Sequence, residues 1–256
     1  MKGGKKMPTN LGNLKELEVI QSIDNKKIIE LSNNMRNLIT ALYGVLDDNE
    51  IVHCYKIEDY IKPDFVITYK NQKRYVSMKS GRAETIHQEH VKSFILFLRS
   101  LGISTRTQQT ILLYQYGDGT LDGTGKNRID YNKLRLMLDE RIKEANEELN
   151  RNRDFVSKVI TRCLFVGTLE NAIPIDCIYF GDYHFGIVAT RKQIEKHINR
   201  KNWQWMSNLH IGPIQLRPHA RYIGKEIKNP ESRNKLECYW ANLSSDIDYI
   251  SSRYDY

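Results

Sequence analysis

The chain has 256 residues, 40% hydrophobic and 10% aromatic, enough apolar material to fill a large core and to exclude wholesale disorder. Its formal net charge of +8 points to a polyanionic partner. The four cysteines, Cys54, Cys163, Cys177 and Cys238, form no CxxC pair, which excludes zinc-finger spacing. No apolar run approaches the roughly 20 residues that a membrane span requires, and no apolar segment of a signal peptide follows the basic start. The expectation is a cytoplasmic chain with reduced thiols and no membrane partner.

In chain order, residues 1–24 read as a flexible N-terminal segment, rich in Gly, Lys and Asn at its start. From Asn25, Ile28, Leu31, Met35, Leu38, Ile39 and Leu42 recur at helical spacing until Gly44. Ile51–Ile57, Asp64–Tyr69 and Arg74–Lys79 read as strands, the last two joined by the polar turn Lys70-Asn71-Gln72-Lys73. Thr85–Leu101 reads as a helix ending at Gly102, and Thr110–Tyr116 as an uninterrupted apolar strand buried on both faces. Helix, three strands, helix, strand is an order that buries a mixed sheet between helices, self-contained over residues 25–116.

The second half, 117–256, reads as an α+β elaboration packed on that core. A Gly-rich loop at 117–126 precedes a long charged helix from about Tyr131 to Asn150 and another near Phe155–Leu164. Strands are expected at Ile173–Phe180, Phe185–Thr190, Leu209–Leu216 and Glu237–Leu243, with a helix near Gln193–Ile198. The Gly-rich loop is not a P-loop, because Thr120 stands where a glycine is needed and Asn127 where Ser or Thr should be. Nor does it space its Asp118 and Asp122 as an EF-hand does.

Chemistry concentrates in Pro63-Asp64 and Ser77-Met78-Lys79. Alternation along a strand places Ser77 and Lys79 on one face, with Val76 and Met78 on the other. A tight hairpin brings Asp64 beside Lys79. A carboxylate and a lysine converging there can hold a divalent cation, orient a water and stabilise charge on a phosphate. Oxygen ligands of this kind suit Mg²⁺.

With these residues and this element order, the chain resembles the PD-(D/E)xK nuclease superfamily, and within it the type II restriction endonucleases. The resemblance covers residues 25–116. It implies a restriction-endonuclease-like α/β core, Mg²⁺ as cofactor, Asp64 as metal ligand and Lys79 as catalytic lysine. Ser77 departs from the pattern, which has Glu or Asp there. In S-x-K variants of the family the displaced acid comes from the following helix, which points to Glu89 as second metal ligand, with Glu84 or Glu30 as substitutes. Ser77 itself stays in the catalytic set, and Arg82 is the nearest candidate for a phosphate contact.

Between Arg191 and Lys235 eleven Lys or Arg face three Glu, a surplus equal to the net charge of the whole chain. Trp203, Trp205, His210, His219 and Tyr222 interleave with them. This pattern suits phosphate-backbone binding, with Arg217, Arg221 and Lys225 as its representatives. The resulting expectation is a Mg²⁺-dependent endonuclease that hydrolyses phosphodiester bonds in double-stranded DNA, restriction-like in type. A structure-specific repair or recombination nuclease, or a DNA-binding protein with an inactive nuclease core, are the alternatives. Cutting both strands of a palindrome favours a symmetric homodimer.

Overall fold

The computed structural model describes residues 11–58, 61–81, 85–200, 208–219 and 230–253. Two compact units divide the chain. The first comprises Met1–Ala83, Leu169–Glu195 and Ser244–Tyr256, and the second Glu84–Thr168 and Lys196–Leu243. The division therefore does not run at residue 116 as the sequence suggests: the chain leaves the first unit after its fourth strand and returns to it near residue 169.

In chain order, helix α1 (Leu11–Ile23) leads through the short β1 (Lys26–Lys27) to α2 (Asn33–Tyr43). Strands β2 (Ile51–Lys56), β3 (Phe65–Tyr69) and β4 (Gln72–Lys79) follow. The second unit begins with β5 (Thr85–His90), α3 (Val91–Ser100) and α4 (Thr105–Tyr116), then α5 (Tyr131–Met137), α6 (Asp139–Asn150) and α7 (Arg153–Ile160). The chain next forms β6 (Cys177–Gly181), β7 (Gly186–Thr190) and α8 (Arg191–Arg200). It ends with β8 (His210–Ile211), β9 (Ile214–Pro218), β10 (Lys235–Trp240) and α9 (Leu243–Arg253).

The first unit is built on a mixed six-stranded sheet in the order β1-β2-β3-β4-β6-β7. All neighbours are antiparallel except β4 and β6, which run parallel with Ser77 opposite Ile178 and Lys79 opposite Phe180. A parallel pair requires a long crossover, and here the crossover carries the first stretch of the second unit. Alternation sends Val52, Cys54, Phe65, Ile67, Val76, Met78, Cys177 and Tyr179 to one face, into a core shared with Val19, Ile20 and Ile23 of α1 and Met35, Leu38 and Ile39 of α2. The helix expected from Asn25 forms only from Asn33 as α2; Lys26–Lys27 is β1 and Ile28–Glu30 a single 3-10 turn. Ser32 caps α2 by accepting from the Met35 N–H, and Gly44 ends it at φ 77°. The β3–β4 turn is two residues long, Lys70-Asn71, both at positive φ, so β4 starts at Gln72 and the register is fixed with Tyr69 opposite Gln72.

The second unit holds an antiparallel sheet in the order β5-β10-β9-β8 with helices α3 to α7. Two expectations fail here. Thr110–Tyr116 is not the last core strand but the end of helix α4, and the strand beside β4 is β6, about sixty residues further on. A continuous apolar run does not by itself separate buried strand from buried helix. The burial of Thr107, Thr110, Ile111, Tyr114 and Gln115 is helical, and the caps decide: Ser104 accepts from the Thr107 N–H, and Gly117 sits in the left-handed region at φ 63°. Thr85–Leu101 is likewise not one helix. Its first six residues pair with β10, and His90 caps α3 through Nδ1, which accepts from the Lys92 N–H at 3.1 Å.

Smaller differences have local causes. The long helix expected over 131–150 divides at Leu138 into α5 and α6. The strand expected over 209–216 is a tight hairpin, β8–β9, turned at Gly212-Pro213. The residues expected to be flexible up to Ile23 instead form α1 from Leu11 onward, with Val19 and Ile23 fully buried. The apolar positions of α1 (Leu11, Leu14, Leu17, Val19, Ile20, Ile23) point all round the helix rather than forming one stripe, which hides it from a periodicity reading. No helix among the described residues is long and apolar enough to cross a membrane.

Candidate active site

The β3–β4 register positions the site. Asp64 directly precedes β3; its N–H donates to the Val76 carbonyl at 2.8 Å, and its own carbonyl accepts from the Ile57 N–H at 3.1 Å. The side chain is fixed as well as the backbone. Asp64 Oδ2 accepts from Ser77 Oγ at 3.1 Å and from the Met78 N–H at 2.6 Å. Because Val76 and Met78 enter the core, Ser77 and Lys79 share the opposite face, as alternation requires. Ser77 is 4% exposed, so its hydroxyl serves Asp64 rather than water. Lys79 is half-buried and forms no ion pair among the described residues. Asp176, ahead of β6, clamps the middle of β4 by accepting from the Tyr75 N–H at 2.8 Å.

A further acid stands in this neighbourhood, one that sequence reasoning missed. Glu16 on α1 lies 3.2 Å from Lys56 Nζ, with only 17% of its side chain exposed. Its pKa is raised, first by burial and then by the negative charge of Asp64, while Lys56 and Lys79 pull it down less strongly. Glu16, Asp64, Lys56 and Lys79 therefore share one electrostatic environment within the first unit. The sequence did carry a signal. Glu16, Val19, Ile20 and Ile23 follow the i, i+3, i+4, i+7 spacing of one helix face, so Glu16 is an acid on the buried side of α1.

Glu89 is placed differently. It sits on β5 in the second unit, 5% exposed in its side chain. Arg162 grips it with two bonds, Nε at 3.0 Å and Nη2 at 2.8 Å, and His87 Nε2 lies 3.1 Å from its Oε1. The guanidinium of Arg162 also lies over the Phe97 ring, 4.6 Å from its centroid. Burial pushes the Glu89 pKa up, but the bonds and charges of His87 and Arg162 outweigh it, and the net direction is down. Glu30 is exposed and accepts from the Lys27 N–H at 2.9 Å, an ordinary local turn contact. Among the described residues no three His, Cys, Asp or Glu side chains gather as a metal-holding group.

Of the basic candidates, Arg217 is described: its guanidinium stacks 3.3 Å from the Tyr239 ring centroid, and its Nη2 donates to Gln215 Oε1 at 3.0 Å. Arg82, Glu84, Trp203, Trp205, Arg221, Tyr222 and Lys225 lie outside the described residues. The Gly-rich loop is a structural lock. The Asp118 side chain, fully buried, accepts from Arg233 Nη2 at 2.5 Å and from the Thr120 N–H at 2.9 Å. Gly125 packs so closely on it that an added Cβ would lie 2.7 Å from the Asp118 carboxyl carbon. No protein-family model matches the chain, and no curated protein matches it in sequence.

Proposed function

We propose that the chain is a Mg²⁺-dependent endonuclease of the PD-(D/E)xK kind acting on double-stranded DNA, restriction-like in type. One observation carries the reading. Asp64, with its carboxylate oriented by Ser77 and the Met78 N–H, stands at the end of the β3–β4 pair that carries Lys79 and shares an electrostatic environment with Glu16. The order of α2, β2, β3 and β4, followed by a parallel neighbour of β4, adds support for a restriction-endonuclease-like core. In this reading the second acid is Glu16, because the Glu89 charge is already matched by Arg162 and His87.

The donors fit a divalent cation with oxygen ligands. The charge of Asp64 raises the proton affinity of Glu16, a cation held by both carboxylates relieves that repulsion, and Mg²⁺ takes one or two carboxylates and keeps several waters. Asp64 and Glu16 would hold the metal, which when bound polarises a phosphoryl oxygen and lowers the pKa of water. Ser77 keeps the Asp64 carboxylate in one rotamer. The Lys79 ammonium, on the same strand face as Ser77, orients the attacking water and stabilises the charge that develops on the phosphate.

The test is incubation of purified protein with unmethylated plasmid or phage DNA and Mg²⁺, followed by sequencing of the ends. Defined termini are expected, and cutting confined to branched or flapped DNA would move the assignment to a structure-specific nuclease. Lys79→Ala should lower the cleavage rate by at least about 10²–10³-fold, the usual loss for one transition-state contact, with DNA affinity retained. Full activity in that variant would remove the assignment. DNA retention with no Mg²⁺-dependent cut in the native chain would favour a binding protein built on an inactive core, the reading that Ser77 at the usual acid position supports.

A further inference from the structure

The outer face of the second unit's sheet is polar at every position across its three longest strands. Register aligns its side chains in rows. Gln88, Glu237 and Arg217 form one row across β5, β10 and β9, and His90 and Lys235 face each other in the next. His219, directly after β9, joins that second row through its N–H, which donates to the Lys235 carbonyl at 3.1 Å. Gln215, Tyr239 and Thr85 complete the face. The inner face carries Leu216, Leu236, Cys238 and Trp240, all buried, so the strands are held in place by a core and cannot slip without exposing it.

A polar sheet face is ordinary when its side chains hang free in water. These side chains instead fix one another across strands. Gln88 Nε2 donates to Glu237 Oε1 at 2.9 Å, which orients the amide with its oxygen as the remaining acceptor. His219 Nδ1 lies 2.6 Å from that same Glu237 oxygen. The Tyr239 ring and Gln215 hold Arg217 from two sides, leaving a planar fork with a set direction. Arg217 and Lys235 are the cations of the face, and His219 faces its one carboxylate, Glu237. From Arg217 to Lys235 the sequence holds six Lys or Arg against two Glu, so the charge suits a phosphate-lined partner.

A rigid set of donors and acceptors on a positively charged sheet is what direct readout of a DNA groove requires. Arginine forks pair with guanine O6 and N7, and amides with adenine. We propose that this face reads base edges of double-stranded DNA, with Arg217 recognising a guanine and Gln88 a neighbouring base. The proposal rests on the endonuclease reading for its substrate and deepens it by naming the surface that selects the sequence.

The test is selection of bound duplexes from a randomised double-stranded DNA pool by the full chain, with a chelator present so that binding is read without cleavage. The native chain should enrich a defined motif. Arg217→Ala should lose preference at one guanine position by about 5- to 150-fold, with the rest of the motif kept. Arg217→Lys, which retains the charge and loses the fork, should lose the same preference while holding overall affinity. An unchanged motif in both variants would overturn the proposal even if Mg²⁺-dependent cleavage stands, and so would a native chain that binds without any motif. An Arg217-dependent motif in a chain that cuts no DNA would leave the sheet as a reader and end the nuclease reading instead. If Arg217→Ala fails to fold, as judged by circular dichroism, the Arg217→Lys and Gln88→Ala motifs decide.

Discussion

Glu16 and Glu89 are acids withdrawn from water, one in each compact unit, and their surroundings push them in opposite directions. Glu89 is answered on every side: Arg162 supplies a bidentate guanidinium, His87 a ring nitrogen, and the carboxyl is held below its ordinary range. Glu16 pairs with Lys56, feels Lys79 more weakly and faces the like charge of Asp64, and its carboxyl is held above that range. A carboxylate with matched charge stabilises its fold and has nothing left to offer a ligand. A carboxylate kept against another carboxylate is under electrostatic tension that a cation can release. The second unit thus uses its buried acid as a fastener, and the first keeps its acid available.

The largest expected effect tests the fastener. Arg162→Ala leaves Glu89 buried without its principal partner, and breaking such a pair from one side costs about 3–5 kcal/mol. Glu89→Gln should cost less, about 1–3 kcal/mol, because the amide oxygen still accepts from Arg162. Chemical denaturation of both variants checks the order. Equal losses, or none, would mean that Glu89 is not held by this pair and is free for another role.

The second expected effect tests the available acid. Glu16→Gln should raise the Mg²⁺ concentration for half-maximal cleavage by about tenfold or more, the change that goes with about 1.4 kcal/mol of lost metal affinity. Glu89→Gln should leave that concentration close to the native value. Titrating Mg²⁺ against initial rate for the two variants separates them. A steep Mg²⁺ dependence in Glu89→Gln alone would reverse the comparison and restore the acid that the S-x-K pattern implies.

The contrast also explains what was legible in the sequence. Much of the hairpin was, because strand alternation leaves little freedom: both strands, and Ser77 and Lys79 on one face, follow from counting residues. The turn, however, is two residues instead of the four expected, and Asp64, expected beside Lys79, has its carboxylate on Ser77 and the Met78 N–H. The later part of the expected first helix was legible too, α2 from Asn33 to its stop at Gly44, though residues 26–30 before it are strand and 3-10 turn. What failed were features decided by tertiary partners or by local caps. Thr85–His90 becomes a strand because β10, some 150 residues later, supplies its ladder. Thr110–Tyr116 is helical because Ser104 and Gly117 cap it, signals that an apolar run invites one to overlook. The next core strand was expected near residue 110, whereas the parallel neighbour of β4 arrives at Cys177, since a long crossover can carry most of a second unit without disturbing the register on either side. Glu16 was missed because the apolar residues of α1 surround the helix, so its one continuous buried face does not stand out.

The smallest effect is a difference in pH dependence without metal. Glu16 has a folded-state pKa above its unfolded one, so its contribution to stability is fully present below the unfolded pKa, near 4.5, and is lost as pH rises through the raised value. Glu89 has a folded-state pKa below its unfolded one, so its contribution is present above that unfolded value, also near 4.5, and is lost as pH falls through the lowered value. Replacing each acid by glutamine removes its own pH dependence. Above the raised pKa, Glu16→Gln should therefore melt slightly higher than the native chain in chelator, because a neutral amide no longer repels Asp64. That advantage should shrink toward pH 4.5 as Glu16 of the native chain takes up its proton. Glu89→Gln should show the reverse slope, its deficit largest near neutral pH and smaller in acid. Saturating Mg²⁺ should erase the advantage of Glu16→Gln and stabilise the native chain more than the variant, since only the native chain offers both carboxylates. Melting curves at pH 4.5 and 7, with and without Mg²⁺, test the Glu16 side, and a further curve more acidic than pH 4.5 tests the Glu89 side. A Glu16→Gln chain that melts lower than native at pH 7 in chelator would mean that Lys56 matches the Glu16 charge, and the two acids would then be fasteners alike.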